Sequence, residues 1–356
     1  MPDNRFSSTL LNWHKKNNRT LPWKVDKDPY KIWLSEIILQ QTRVEQGIPY
    51  YQKFIATFPT IHDLAQTDES NVLKVWEGLG YYSRARNLHD TAKYISIHLN
   101  GVFPSSYENL LKLKGVGPYT AAAIASFAYD LPHAVVDGNV YRVLSRIFGI
   151  KTPMDSSEGR KEFQKIAQEL INAQDPGGYN QAIMDFGATV CTPKNPNCNQ
   201  CPFSEQCFAF LNRSINQLPV KNKNIQKKNR FLNYYILLCH NEIAIKQRNQ
   251  NDIWKGLYEF FLIETSHPIA QPKELIASYS WKIVSFGSNN TYWHKLTHRD
   301  LKVTFTIVNL ENKDHLPEDM FFIKTKNLSK FAFPKVIHCF FKDNPLILKD
   351  NYENGK

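Results

Sequence analysis

No apolar run in this chain approaches the ~20 residues that a membrane-spanning helix needs. The first residues, MPDNRFSSTLLNWHKKNN, lack the basic-then-apolar order of a secretion signal. Together these absences lead to the expectation of a soluble, intracellular, cytoplasmic protein with no membrane partner. There is no internal repeat and no extended low-complexity tract. Cysteine is scarce outside one stretch: four of the six fall between Cys191 and Cys207. Without a secretion signal, that crowding argues for metal ligation over disulfides. Cys239, in an apolar run, and Cys339, near the C-terminus, read as small buried hydrophobes.

What is present is ordinary in bulk and basic in balance. A length of 356 residues gives about two domains on the usual ~150-residue prior. With 42% hydrophobic and 22% charged residues the composition is that of a globular protein, and a formal charge of +11 favours a polyanionic partner.

The first two hundred residues carry helical signals. Residues 4–18 can form an amphipathic helix with Phe6, Leu10, Leu11 and Trp13 to one side. The loop Arg19-Thr20-Leu21-Pro22-Trp23 sets an arginine beside an exposed-looking tryptophan, residue types that grip and stack on bases. Asp28-Pro29 caps a helix expected to run through Thr42. Further helices are expected at 44–57, 60–66, 69–77, 83–99, 158–172 and 179–190.

Leu111–Asn139 reads as the organising stretch. A short helical run breaks at Gly115-Val116-Gly117, and Pro118 restarts a helix at a position where its missing amide costs nothing. Such a turn exposes free N–H groups to an anion, here a DNA backbone phosphate, although a ligand-free helical corner has the same pattern. Gly78–Tyr82, followed by Arg84 and Arg86, suits backbone contact and intercalation.

Two acids stand out. Glu36 has apolar neighbours at 32, 33, 37, 38 and 39, a setting that raises a carboxyl pKa and keeps a proton available for general acid catalysis. Asp137, before Gly138-Asn139, reads as a helix cap whose N–H donors keep it ionised, as a stabiliser of a cationic transition state must be. The two therefore read as a pair with opposed pKa tendencies. In the cysteine stretch, Cys191-x6-Cys198-x2-Cys201-x5-Cys207, four thiolates can hold tetrahedral zinc or a cubane iron–sulfur cluster. Only one couple is closely spaced, which tilts the choice to the cluster.

After Leu218-Pro219 the pattern changes. Residues 213–229, with Lys221, Lys223, Lys227 and Lys228, read as a basic linker. Strand-like runs follow at Tyr234–Cys239, Ile243–Lys246, Leu257–Ile263, Trp281–Phe286 and Leu301–Leu310, with a closing helix at Phe333–Phe341. The expected fold is thus an all-α domain of 1–212 joined to an α+β domain of 230–350.

These motifs in combination resemble a known family. Leu113-Lys114-Gly115-Val116-Gly117 is similar to the helix-hairpin-helix (about 111–130) of the endonuclease III superfamily, Val136–Val140 follows it at the usual distance, and the cluster loop 191–207 matches without a gap. Leu21-Pro22-Trp23, Ser35–Thr42 and Gly78–Arg86 closely resemble adenine DNA glycosylases of the MutY family. The resemblance implies base excision repair: adenine mispaired with 8-oxoguanine or guanine is flipped out and its glycosidic bond hydrolysed, with double-stranded DNA as partner and the protein as a monomer. It maps the proton donor to Glu36 and the oxocarbenium stabiliser to Asp137, with Asn139 beside it. Gln41 and Tyr81 match positions entering the base stack; Arg19, Leu21, Trp23 and Gln181 match the adenine pocket. It assigns a [4Fe–4S] cluster to Cys191, Cys198, Cys201 and Cys207, and backbone contacts to Gly115, Gly117 and Lys114, with Lys112 also near phosphates.

Where endonuclease III enzymes carry a catalytic lysine, this chain has Tyr119, so no amine is present to form a Schiff base and a monofunctional glycosylase is expected. The C-terminal half resembles the Nudix-derived module that inspects 8-oxoguanine, through Gly256–Phe260. Thr265–Ser278 holds only Glu274 as an acid, too few carboxylates for metal-dependent Nudix hydrolysis. The family's Phe-Ser-His loop has Leu296-Thr297-His298 as its nearest match, keeping a hydroxyl but losing the aromatic ring. Two rival readings stay open: a glycosylase for oxidised pyrimidines or mismatched thymine, and a non-catalytic DNA-binding relative.

Overall fold

A computed structural model describes residues 4–222 and 227–348. Lys223 of the expected linker, and residues 349 and 350 of the expected second domain, lie outside the described residues. By packing, the chain divides into two units, residues 1–66 with 87–224, and residues 67–86 with 225–356.

The first unit is helical. It contains α1 (Asn4–Asn17), α2 (Pro29–Leu39), α3 (Val44–Thr57) and α4 (Ile61–Gln66), then most of α6 (Ser83–His98). It continues through α7 (Tyr107–Leu110), α8 (Pro118–Tyr129), α9 (Gly138–Phe148), α10 (Ser157–Leu170), α11 (Pro176–Thr189) and α12 (Phe208–Leu211). α5 (Glu69–Val75) belongs to the second unit. Phe6 and Leu10 of α1 are buried as the amphipathic reading requires, among Val140, Leu144, Phe163, Tyr179 and Phe186. α2 is not amphipathic: Ile32, Trp33, Leu34, Ser35, Glu36, Ile37 and Ile38 are all buried, so it runs through the unit's interior.

α2 ends at Leu39 rather than Thr42, because Gln41 takes a left-handed conformation (φ 56°) that no helix continues through. At the hairpin only Gly115 needs a positive φ (78°); a Cβ there would also stand 2.8 Å from Asn87. Gly117 is extended, caps α8 directly before Pro118, and has nothing within 4 Å of where a Cβ would be.

The second unit holds a seven-stranded sheet ordered β3-β2-β1-β6-β5, with β4 paired to β1 and β7 to β2. The strands are β1 (Lys228–Cys239), β2 (Glu242–Gln247), β3 (Tyr258–Glu259), β4 (Phe261–Thr265), β5 (Ile283–Lys295), β6 (Arg299–Leu310) and β7 (Met320–Lys324). Among these described strands, only β1 and β6 pair in parallel. Lys228 and Asn229 are therefore strand, not linker. The expected run at 257–263 divides around Phe260, β5 is far longer than expected, and β7, although four of its five residues are apolar, is too short a run to show a period. α13 (Lys335–Asp343) covers one face, where Phe305 stacks between Tyr234 (5.4 Å) and Phe340 (4.6 Å). On the other face Tyr235, Leu237, Phe261, Ile276 and Trp281 form a second core. Cys239 is buried as read, whereas Cys339 is exposed on α13.

Candidate active site

Glu36 owes its setting to α2. With apolar side chains around it and 6% of its surface exposed, the carboxyl loses solvation, and its pKa is pushed up to about 7. The Tyr119 hydroxyl, delivered by the first turn of α8, hydrogen-bonds to it and offsets part of that rise; the charge of Asp137 adds to it. Burial first, and then the carboxyls of Glu36 and Asp137, hold the Tyr119 phenol well above its ordinary value. Glu36, Tyr119 and Asp137 thus form one electrostatic group drawn from α2, α8 and α9. Tyr119 also points its hydroxyl at the Met184 sulfur (3.4 Å).

Asp137 caps α9 as the sequence indicates. Its Oδ1 accepts from the amides of Asn139 and Val140, and its Oδ2 from the Asn139 side chain, each at 2.8 Å. The expectation of a lowered pKa is nonetheless wrong in sign. Burial outweighs the three donors and the nearby Arg142, so the Asp137 pKa is raised. The two acids differ in their donors, one for Glu36 against three for Asp137, rather than in the direction of their shifts.

In front of Glu36 lies a cavity of about 650 Å³, lined also by Arg19, Leu21, Trp23, Ser35 and Gln181. Those four positions mapped to a base pocket therefore share one cavity with the acid. Trp23 is buried, not exposed: it packs edge-on to Tyr51 at 5.4 Å. The cavity is large enough for a purine base and polar enough at one end to orient it.

A residue missing from the sequence reading organises that polar end. Asp185 on α11 is fully buried and accepts from Arg19 Nε (2.8 Å), Lys24 Nζ (3.0 Å), His14 Nε2 (3.0 Å) and Gln181 Nε2 (3.1 Å). Despite burial, these donors hold its carboxyl far below the usual range. The signal was available: an acid flanked by Ile183, Met184 and Phe186 has the same surroundings that drew attention to Glu36.

Cys191, Cys198, Cys201 and Cys207 are free, part-buried thiols. They feel one another electrostatically, and Cys201 is pushed up to about 11, mainly by burial. Among the described residues no three His, Cys, Asp or Glu side chains stand ready to hold a single metal ion. The donors around the sulfurs fit a thiolate-ligated group: Arg146 Nη1 reaches Cys191 Sγ at 3.6 Å and the Phe203 amide reaches Cys201 Sγ at 3.4 Å. Arg142 ties this loop to the Asp137 cap, donating to Asn139 Oδ1 (2.8 Å), Gly187 O (2.7 Å) and Cys191 O (2.7 Å). Gly187 permits the approach, since a Cβ there would lie 2.6 Å from that of Asn139.

Other mapped positions lie apart from this cavity. Gln41 is exposed; Lys114 is exposed and paired with Asp90, and Lys112 bonds Asn109. In the second unit, a cavity of about 470 Å³ gathers Tyr81, Thr297 and His298 with Trp254. Tyr81 has a positive φ of 49°, is 45% exposed, and its hydroxyl bonds that of Thr297. Arg84 and Arg86, read as backbone contacts, are engaged within the protein: Arg84 is buried against Trp76 (4.9 Å), and Arg86 donates to Lys255 O (2.7 Å).

The HhH-GPD superfamily base excision DNA repair protein family matches residues 34–172, and the NUDIX domain family matches residues 233–343. An adenine DNA glycosylase of Buchnera aphidicola subsp. Baizongia pistaciae (strain Bp) is 39% identical over 305 residues, 84% of either chain. Among solved structures, a thermostable thymine-DNA glycosylase superposes with a TM-score of 0.55 at 30% identity, covering 58% of this chain and 95% of that one. A non-covalent endonuclease III–DNA complex gives 0.52 at 22% identity, covering 60% and 99%, which shows a shared fold.

Proposed function

The chain belongs to the adenine DNA glycosylase family and is a DNA N-glycosylase of base excision repair, and from that premise we propose that it removes adenine lying opposite 8-oxoguanine or guanine. The observation that carries this reading is the cavity shared by Glu36, Arg19, Leu21, Trp23 and Gln181. An adenine flipped out of duplex DNA fits there, with the Glu36 proton directed at a ring nitrogen and Arg19 and Gln181 orienting the base. Protonation makes the base a better leaving group. Asp137 stabilises the oxocarbenium character that develops on the sugar, its three donors favouring the charged form as the cation appears. Tyr119 keeps its proton and holds Glu36 in position. Asn139 orients Asp137. The duplex backbone approaches the open turn at Gly115 and Gly117, with Lys114 at its edge. Gln41 and Tyr81 enter the base stack, and Thr297 and His298 face the base opposite the adenine. The protein acts as a monomer in the cytoplasm, at the nucleoid; among the described residues no helix is long and apolar enough to cross a membrane.

The deciding assay incubates duplexes carrying adenine:8-oxoguanine, adenine:guanine, oxidised pyrimidine and mismatched thymine, and scores the released base. Adenine release from the first two is expected; pyrimidine release without adenine would sink the proposal. Because Tyr119 offers no amine, borohydride added during turnover is expected to trap no protein–DNA adduct, and a trapped adduct would overturn the monofunctional reading.

Cys191, Cys198, Cys201 and Cys207 would hold a [4Fe–4S] cluster. When bound, the cluster cross-links a loop poor in secondary structure through four thiolates, with Arg146 and the Phe203 amide donating to sulfur. Purified protein is expected to be brown with four irons per chain, and Cys198→Ser to lose iron and thermal stability. Colourless protein with one zinc would refute the cluster.

A further inference from the structure

β5 is an edge strand of the sheet, and Trp293 on it is 63% exposed, a large apolar surface left in water. Alternation along the strand fixes its direction. Tyr292 and His294 turn to the face covered by α13, where Tyr292 meets Phe305 (5.7 Å) and bonds Asp343 (2.7 Å), and His294 packs near Trp254 (5.9 Å). Trp293 and Lys295 turn to the opposite face. There the register places Trp293 beside Lys302, which in turn pairs with Phe231 of β1. Ile276 and Trp281 cover that face further along, and half-buried Lys302 lines a small cavity with Phe231 and Pro272, next to the exposed Trp293. Among the described residues neither Lys295 nor Lys302 has an ion pair. The strand then leads directly into the turn that carries Thr297.

From this placement we propose that Trp293, Lys295 and Lys302 form a track for the DNA strand that carries the base opposite the adenine. The inference rests on the reading in which Thr297 faces that base. Two lysines with no ion pair among the described residues, beside an exposed aromatic ring, are complementary to alternating phosphate and base or sugar, the combination by which proteins follow a nucleic-acid strand. Lys295 lies two residues from Trp293, about 7 Å along the strand, so ring and charge address successive parts of one nucleotide. The track adds contact area without touching the adenine cavity, so it acts on affinity and not on the chemistry at Glu36.

The test measures binding of the full chain to a 30-base-pair adenine:8-oxoguanine duplex over a range of salt concentrations. Trp293→Ala is expected to weaken binding roughly five- to hundred-fold. Lys295→Ala with Lys302→Ala should reduce the salt slope by about two. Val284→Ala, removing another exposed apolar side chain (67%) of β5, is the control and should bind as wild type. Unchanged affinity in Trp293→Ala, or an equal loss in Val284→Ala, overturns the track. Failure of the wild-type chain to release adenine sinks the functional proposal instead, so the two failures are separable.

Discussion

Glu36→Gln is expected to lower the single-turnover rate of adenine release roughly 10²–10⁴-fold, because the amide has no proton to give. The same substitution should make the protein more stable in alkali, which separates loss of chemistry from loss of fold. In the wild type the carboxyl keeps its proton up to about pH 7, whereas in the unfolded chain it ionises near its ordinary 4.5. Between those values the native state binds more protons than the unfolded state, so wild-type stability falls as pH rises. Glutamine removes that penalty. The variant's advantage should be absent below pH 4.5, grow between 4.5 and 7, and level off above 7 at about 3 kcal/mol. Urea unfolding at pH 5 and pH 8 measures it. A stability difference between the proteins that does not change with pH would place the Glu36 carboxyl in a more solvated setting than described. For the wild type, the linked kinetic result is a rate that declines about tenfold per pH unit above 7 as the acid form disappears.

Asp185→Asn has the second large effect, on the fold and on the base pocket together. The carboxylate is fully buried against Arg19, Lys24 and His14, and removing its charge leaves Arg19 and Lys24 facing a neutral amide in a poorly solvated place. Breaking such a buried arrangement costs about 3–5 kcal/mol. Asparagine keeps one acceptor oxygen for the four donors, so Arg19 and Gln181 are held less firmly at the cavity and adenine release should fall even at temperatures where the variant is folded. Because the Asp185 pKa is depressed, its contribution to stability is present above the ordinary carboxylate range and disappears as pH falls through the folded-state value. The wild type should therefore lose stability in acid by an amount that Asp185→Asn does not share. Identical acid limbs for the two proteins would refute the role given to Asp185. Arg19→Lys, which keeps one charge on Asp185 but not the planar fork, should preserve most of the stability while impairing release.

The chain's own order of residues determined a great deal. Apolar periodicity and caps located most helices, since Asp28-Pro29, Gly117-Pro118 and Asp137 act within one turn of chain and need no distant partner. Glu36 was legible for a related reason: apolar residues on every side of a helix leave no wet face, whatever packs against it. The family and the glycosylase activity were readable from motif spacing, because the hairpin and the cysteine loop are local structures. The limits of β5 and the presence of β7 were not legible, as pairing across a sheet is fixed by partners far away in sequence.

Only the tertiary structure decided the electrostatics. A helix cap predicts ionisation of Asp137 from its own N–H donors, but burial by distant elements reversed the sign of the shift. Arg84 and Arg86 carry charge in any sequence, yet folding turned both toward protein groups. Asp185 collects partners more than 150 residues away on the path from α1 to α2, a convergence no local window contains. Desolvation and long-range pairing are properties of the space around a group, and that space exists only once the chain is packed.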